Sequence, residues 1–121
     1  MPGLTRSRAP SQYRLELSHN GDMISLDELR AGRRGEILRL AEERGAHSVR
    51  VFGSVARGEA NESSDLDLLV RFEEGRSLVD LVSMKLALEE LLGIRVDVVS
   101  ERGLSRYIRD RVLAEAKTLA A

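Results

Sequence analysis

Residues 51–70 read VFGSVARGEANESSDLDLLV. An apolar strand ends at Phe52, the chain turns at Gly53-Ser54, and a polar loop leads to Asp65-Leu66-Asp67 ahead of Leu68, Leu69 and Val70. Successive side chains of a strand point to opposite faces. Asp65, Asp67 and Leu69 therefore share one face, and Leu66, Leu68 and Val70 the other, which helices must cover. The aspartates lie about 6.6 Å apart along the backbone, two residues at the usual strand rise. Like charges this close repel, and burying them unpaired would cost several kcal/mol each. A divalent cation removes that penalty. Mg²⁺ takes one or two carboxylates, keeps waters and completes its shell with phosphate oxygens. A solvated edge strand would tolerate the pair as well.

A third acid has the same setting. In RVDVV, Asp97 lies among valines, with Arg95 as the one polar neighbour. Val96 and Val98 point opposite to it, toward a core. If this strand pairs beside residues 65–70, Asp97 joins the face of Asp65 and Asp67. Three carboxylates on adjacent strands can hold two metal ions about 3.5–4 Å apart for in-line displacement at phosphorus. The bland alternative for Asp97 is a simple pair with Arg95.

Gly53-Ser54 supplies a complementary half. A strand turning sharply into a helix start exposes backbone N–H groups that favour phosphate. Gly53 lets an anion approach the backbone closely, Ser54 offers a hydroxyl, and Arg57 lies one helical turn on. Any one of these pieces could be a plain turn or a solvated strand. Their joint order is what points to phosphate chemistry.

Around this centre the chain reads as alternating helices and strands. Ser25 and Glu28 resemble a capping box, followed by a helix through Leu26, Leu29, Ile37, Leu38 and Leu40 to Gly45, with a break or kink expected near Gly32 and Gly35. SVRVF (48–52), DLDLLV (65–70) and IRVDVVS (94–100) read as strands. Ser77 and Asp80 start a helix with Leu78, Leu81, Val82, Met84, Leu88 and Leu91 on a broad apolar face, ended by Gly93. A last helix from about Ser105 carries Ile108, Val112 and Leu113. Residues 1–24 hold both prolines among Ser, Arg and Gly and read as a flexible extension. Within it YRLELS could form a strand, and Met23 could be an alternative start.

A chain of 121 residues is the size of one domain. Its net charge of −1 gives no general attraction to nucleic acid or anionic membrane. The absence of cysteine excludes disulfides and thiolate zinc sites and suits a reducing cytoplasm. No signal peptide and no membrane-length apolar run are read in the sequence. Of the 19 basic residues all but Lys85 and Lys117 are arginine.

Gly-Ser, ten intervening residues and Asp-x-Asp resembles the signature of the DNA polymerase β-type nucleotidyltransferase superfamily. The short chain and the Ala-Arg-Gly after Gly-Ser look most like its minimal nucleotidyltransferases, the antitoxin half of HEPN/MNT toxin–antitoxin pairs. The resemblance covers about residues 26–119, within a domain drawn as 25–121. It implies an α+β fold, a small mixed sheet flanked by helices. It implies Asp65, Asp67 and Asp97 as catalytic carboxylates and Mg²⁺ ligands in a two-metal site. Gly53, Ser54 and Arg57 match nucleotide-binding positions. The implied reaction moves a nucleoside monophosphate, AMP from ATP, to a hydroxyl, and the implied acceptor is a tyrosine of a HEPN-type RNase toxin. The implied setting is cytoplasmic, with no membrane and no direct nucleic-acid binding.

Two other readings stay open: a non-catalytic antitoxin that acts by contact alone, and a small-molecule nucleotidyltransferase. The three-acid set weighs against the first, because nothing would then offset the clustered charge. The lack of an added helical domain weighs against the second, and a polymerase would need further domains for primer and template. His19 falls in the extension and His47 is expected in a surface loop. Tyr13 and Tyr107 are expected in packing or surface roles.

Overall fold

The computed structural model describes residues 25–61 and 63–119; the expected extension at 1–24, with its YRLELS segment, lies outside them. Ser25 caps helix α1 (Leu26–Glu28): its hydroxyl accepts from the Glu28 amide while the Glu28 carboxylate accepts from the Ser25 amide. This is the expected reciprocal cap. The helix widens into a π turn over Leu29–Arg33 before α2 (Arg34–Glu43). The irregularity falls where Gly32 and Gly35 weaken helix preference, and it leaves Leu29, Ile37 and Ala41 buried.

The chain continues through β1 (Ala46–Phe52), α3 (Gly53–Arg57), β2 (Leu66–Phe72), α4 (Leu78–Leu92), β3 (Val96–Ser100), a 3₁₀ turn (Glu101–Gly103), α5 (Arg106–Glu115) and β4 (Lys117–Thr118). The strands form one mixed sheet in the order β3-β2-β1-β4. β1 runs antiparallel to β2 and β4, and β2 runs parallel to β3. The parallel pair requires a crossover, and α4 provides it. The Ser77 hydroxyl and Asp80 carboxylate cap the start of α4, and Gly93 ends it in the left-handed region at φ 73°.

One face of the sheet carries the core. Val49, Val51, Leu66, Leu68, Val70, Val96 and Val98 are buried there with Leu29, Ile37, Ala41, Met84, Leu88 and Leu92 from the helices. The alternation in DLDLLV and RVDVV is obeyed. Leu69, on the Asp67 face, is also fully buried but outside that cluster, and Val112 of α5 is buried outside it as well.

Three expectations are corrected. The apolar face of α4 is narrower than read from the sequence: Met84, Leu88 and Leu92 are buried, whereas Leu78 and Val79 are 72% and 75% exposed and Val82 is exposed too. A helix packed on one side buries a stripe spaced by about one turn, and the remaining apolar residues face away. His47 lies in β1 rather than in a loop, with its ring nitrogen 3.3 Å from Glu73 Oε1. A bulge between His47 and Arg50, with Ser48 at φ 58°, lets the strand begin earlier. Ile108 is 40% exposed, and Val112 carries the burial of α5.

Candidate active site

The parallel pairing of β2 and β3 sets Asp67 directly opposite Asp97, with Leu66 opposite Val96 and Leu68 opposite Val98. The buried apolar pairs fix the register, because a slip of one residue would carry the acid of the slipped strand into the core. Asp67 is half-buried and Asp97 exposed. Asp65 lies just before β2. The Leu66 amide donates to the Arg95 carbonyl at 2.9 Å, which starts the pairing there. Arg95 Nε lies 3.0 Å from Asp65 Oδ1. That oxygen is buried and has no directed hydrogen bond, so the contact is an ion pair by proximity. Arg95 therefore serves Asp65 and not Asp97, which settles the alternative raised by the sequence.

Helix α4 secures the strand that carries Asp97. Glu89 Oε2 accepts from the Val96 amide at 3.0 Å and from Lys85 Nζ at 2.6 Å, and Lys85 Nζ also donates to the Val96 carbonyl at 2.9 Å. Both backbone groups of the first residue of β3 are thus held by one helical turn.

Gly53 lies at the other side of Asp67. Phe52 pairs with Asp67 across β1 and β2, and Gly53 then turns with φ +76°. A Cβ at this position would run into the Asp67 carboxylate. No side chain but hydrogen fits both the backbone angle and the space. Ser54 follows, half-buried, in α3. The Gly53 amide donates to Glu115 Oε2 at 2.7 Å. Arg57 Nη1 reaches both oxygens of the same carboxylate at 3.1 and 3.2 Å, and its Nε donates to Glu59 Oε1 at 3.0 Å.

The charges are unevenly balanced. Burial pushes the Asp67 carboxyl up from 3.8 to about 6, and the charges of Asp97, Asp65 and Glu115 add to this while Arg57 pulls it back. The hydrogen bonds of Glu59 and then Glu115 hold the Arg57 guanidinium more firmly in its charged form. A half-buried Asp67 carboxylate, with the charges of Asp97 and Asp65 beside it, fits a hard divalent cation by the chemistry of its donors. Among the described residues no group of three or more His, Cys, Asp or Glu is gathered as a formed metal site. Asp67 and Asp97 stand side by side, but the closed two-metal cluster expected from the sequence is not drawn together.

Gly53, Ser54, Arg57, Asp65, Asp67 and Asp97 thus meet at one end of β1, β2 and β3. Sequence reasoning missed Glu115. Its segment, LAEAKT, has no motif, and only the fold reveals its role: β4 returns beside β1 and brings the end of α5 over Gly53. His47 and Tyr107 take no part in these contacts, and Tyr107 is 90% exposed on α5. Among the described residues no helix is long and apolar enough to cross a membrane.

Comparison with known proteins gives the family. Residues 35–119 match the family described as nucleotidyltransferase domain. The protein adenylyltransferase MntA of Thermococcus cleftensis is 42% identical over 93 residues, which span 77% of this chain and 94% of that one. A chain of Methanocaldococcus jannaschii, named as a candidate protein adenylyltransferase, is 44% identical over 81 residues, 67% of this chain and 87% of that one. A solved structure described as a candidate minimal nucleotidyltransferase superposes with a TM-score of 0.68 at 63% identity, covering 77% of this chain and 94% of that one. A toxin–antitoxin structure with AMP-PNP shares the fold at a TM-score of 0.64 and 22% identity, covering 72% of each chain. The chain therefore belongs to the nucleotidyltransferase-domain family, as a minimal nucleotidyltransferase of the polymerase β-type fold.

Proposed function

We propose that the chain transfers AMP from ATP to a tyrosine hydroxyl of a HEPN-type RNase toxin and so acts as its antitoxin. The observation that carries this reading is the in-register pair of Asp67 and Asp97, with the bare backbone of Gly53 against Asp67. The names of the relatives, a protein adenylyltransferase and a toxin–antitoxin pair, support the choice of acceptor. In the reaction the acceptor oxygen attacks the α-phosphorus, its proton passes to Asp97, and pyrophosphate leaves. The Gly53 amide and Ser54 hydroxyl hold the triphosphate, and Arg57 offsets its charge. Asp97, exposed at the end of the sheet, is reachable by a hydroxyl that a partner brings. Asp65, Asp67 and Asp97 are the residues that would hold Mg²⁺, which when bound neutralises charge on the phosphates.

The test is incubation of the purified chain and a HEPN-type partner with α-³²P-ATP and Mg²⁺. Label is expected on a tyrosine of the partner and is expected to fall by at least about 100-fold with Asp65→Asn and Asp67→Asn together. A wild-type chain that binds the partner yet labels it with none of the four nucleotides would favour the non-catalytic antitoxin. Label appearing only on a small molecule would keep the chemistry and discard the acceptor.

A further inference from the structure

The donors that the proposed reading assigns to the triphosphate are already engaged. Gly53 has one N–H, and Glu115 Oε2 takes it at 2.7 Å. Arg57 Nη1 spans both oxygens of the same carboxylate. A carboxylate held by a backbone amide and an arginine presents the same acceptor edge that a phosphate would. The two anions cannot occupy the place together. The Gly53 proton is single, and phosphate oxygens within hydrogen-bond reach of it would meet the Glu115 carboxylate with only Arg57 between them.

From these contacts we infer that Glu115 is an internal latch: its carboxylate closes the phosphate subsite of the nucleotide-free chain, and a nucleoside triphosphate must displace it to bind. The inference rests on the nucleotidyl-transfer reading and adds a regulatory device to it. The backbone around Glu115 is fixed on both sides. The Ala116 amide donates to the Val112 carbonyl at 2.9 Å, the Leu119 amide to the Val49 carbonyl at 3.1 Å, and Arg30 Nη2 to the Thr118 carbonyl at 2.6 Å. Opening is therefore a rotation of one side chain at the last residue of α5 and not a movement of the helix. Arg57 keeps its second partner, Glu59, on leaving Glu115, so it stays in place to receive the phosphate. Glu115 also adds its charge to the carboxylates around Asp67.

The test is calorimetric binding of inorganic tripolyphosphate without metal, and of a non-hydrolysable ATP analogue with Mg²⁺, to wild type, Glu115→Gln and Glu115→Ala. Glu115→Gln keeps the size and loses the charge. Both variants are expected to bind both probes at least about tenfold more tightly, because an arginine-paired anion no longer competes. Wild type that binds the probes while folded variants bind them equally or less well would overturn the latch and leave nucleotidyl transfer standing. No binding of either probe by any of the three chains would overturn both. Should the variants fail to fold, the amide resonance of Gly53 in the wild type decides. A large shift on adding the analogue, with a matching shift at the Glu115 side-chain carboxyl, supports displacement; an unmoved Glu115 carboxyl overturns it.

Discussion

At the scale of single residues, position 53 is restricted twice over. Its φ of +76° costs an L-residue roughly 1–2 kcal/mol, and any Cβ meets the Asp67 carboxylate. Gly53→Ala is expected to lower the melting temperature and to weaken binding of an ATP analogue at least about tenfold by pushing Asp67 aside. An alanine variant that binds like wild type would show that nothing approaches this backbone. Asp67 itself makes stability depend on pH. Its carboxyl is raised in the folded chain to about 6 from 3.8, by burial first and then by its acidic neighbours. The folded form thus holds the proton more tightly than the unfolded form. The resulting stability is fully present below about pH 4 and is lost as pH rises through about 6. At neutral pH the ionised Asp67 weakens the metal-free fold. Asp67→Asn should therefore raise the melting temperature at pH 7.5 by about 2–4 °C, with the gain shrinking toward zero near pH 4. Parallel melts of both chains across this range check the sign. A gain that grew on acidification would contradict the assigned direction.

At the scale of elements, the site depends on β3 arriving in register, and α4 enforces this through Glu89. Truncating Glu89 to alanine would leave the Val96 amide without its carboxylate and Lys85 without its pair. A loss of about 1–3 kcal/mol is expected in denaturant melts. Protection of the Val96 amide from hydrogen exchange should fall more than that of Leu68 in β2. Equal loss at both positions would mean that Glu89 stabilises the domain without holding β3. The same elements show what a sequence can tell. Capping by Ser25 with Glu28, capping by Ser77 with Asp80, and the Gly93 stop are local chemistry and were readable. So were the faces of Asp67 and Asp97, because alternation along a strand needs only neighbours. The two-residue β4 was not readable, since Lys117 and Thr118 carry no pattern and pair only where the end of α5 delivers them. Glu115 was hidden for the same reason: its partners lie 62 and 58 residues away in the chain. The exposed Leu78 and Val82 escaped because α4 is apolar on several sides, and periodicity then cannot tell which side meets the sheet.

At the scale of the whole molecule, the question is whether the site does chemistry or only shapes a surface. The net charge of −1 offers no general hold on nucleic acid, and the proposed acceptor is a hydroxyl of a docked protein partner. On the proposed reading Asp97 is the group that meets this acceptor. It is exposed while its strand neighbours Val96 and Val98 are buried, and its backbone is paired into the sheet beside Asp67. Asp97→Asn preserves size and strand pairing and removes only the charge. A partner held by surface contact alone should therefore bind the variant as it binds wild type, and the two chains should still co-purify. Transfer of AMP should fall by about 10²–10⁴-fold, the usual contribution of a positioned acid–base carboxylate. The two measurements belong to one experiment: co-purification on one chain's tag, then addition of α-³²P-ATP to the complex. Intact binding with lost transfer identifies Asp97 as a group that acts on the reacting hydroxyl. Loss of both would make it part of the docking surface. Unchanged transfer would remove it from the chemistry, leaving Asp65 and Asp67 to act without a third carboxylate.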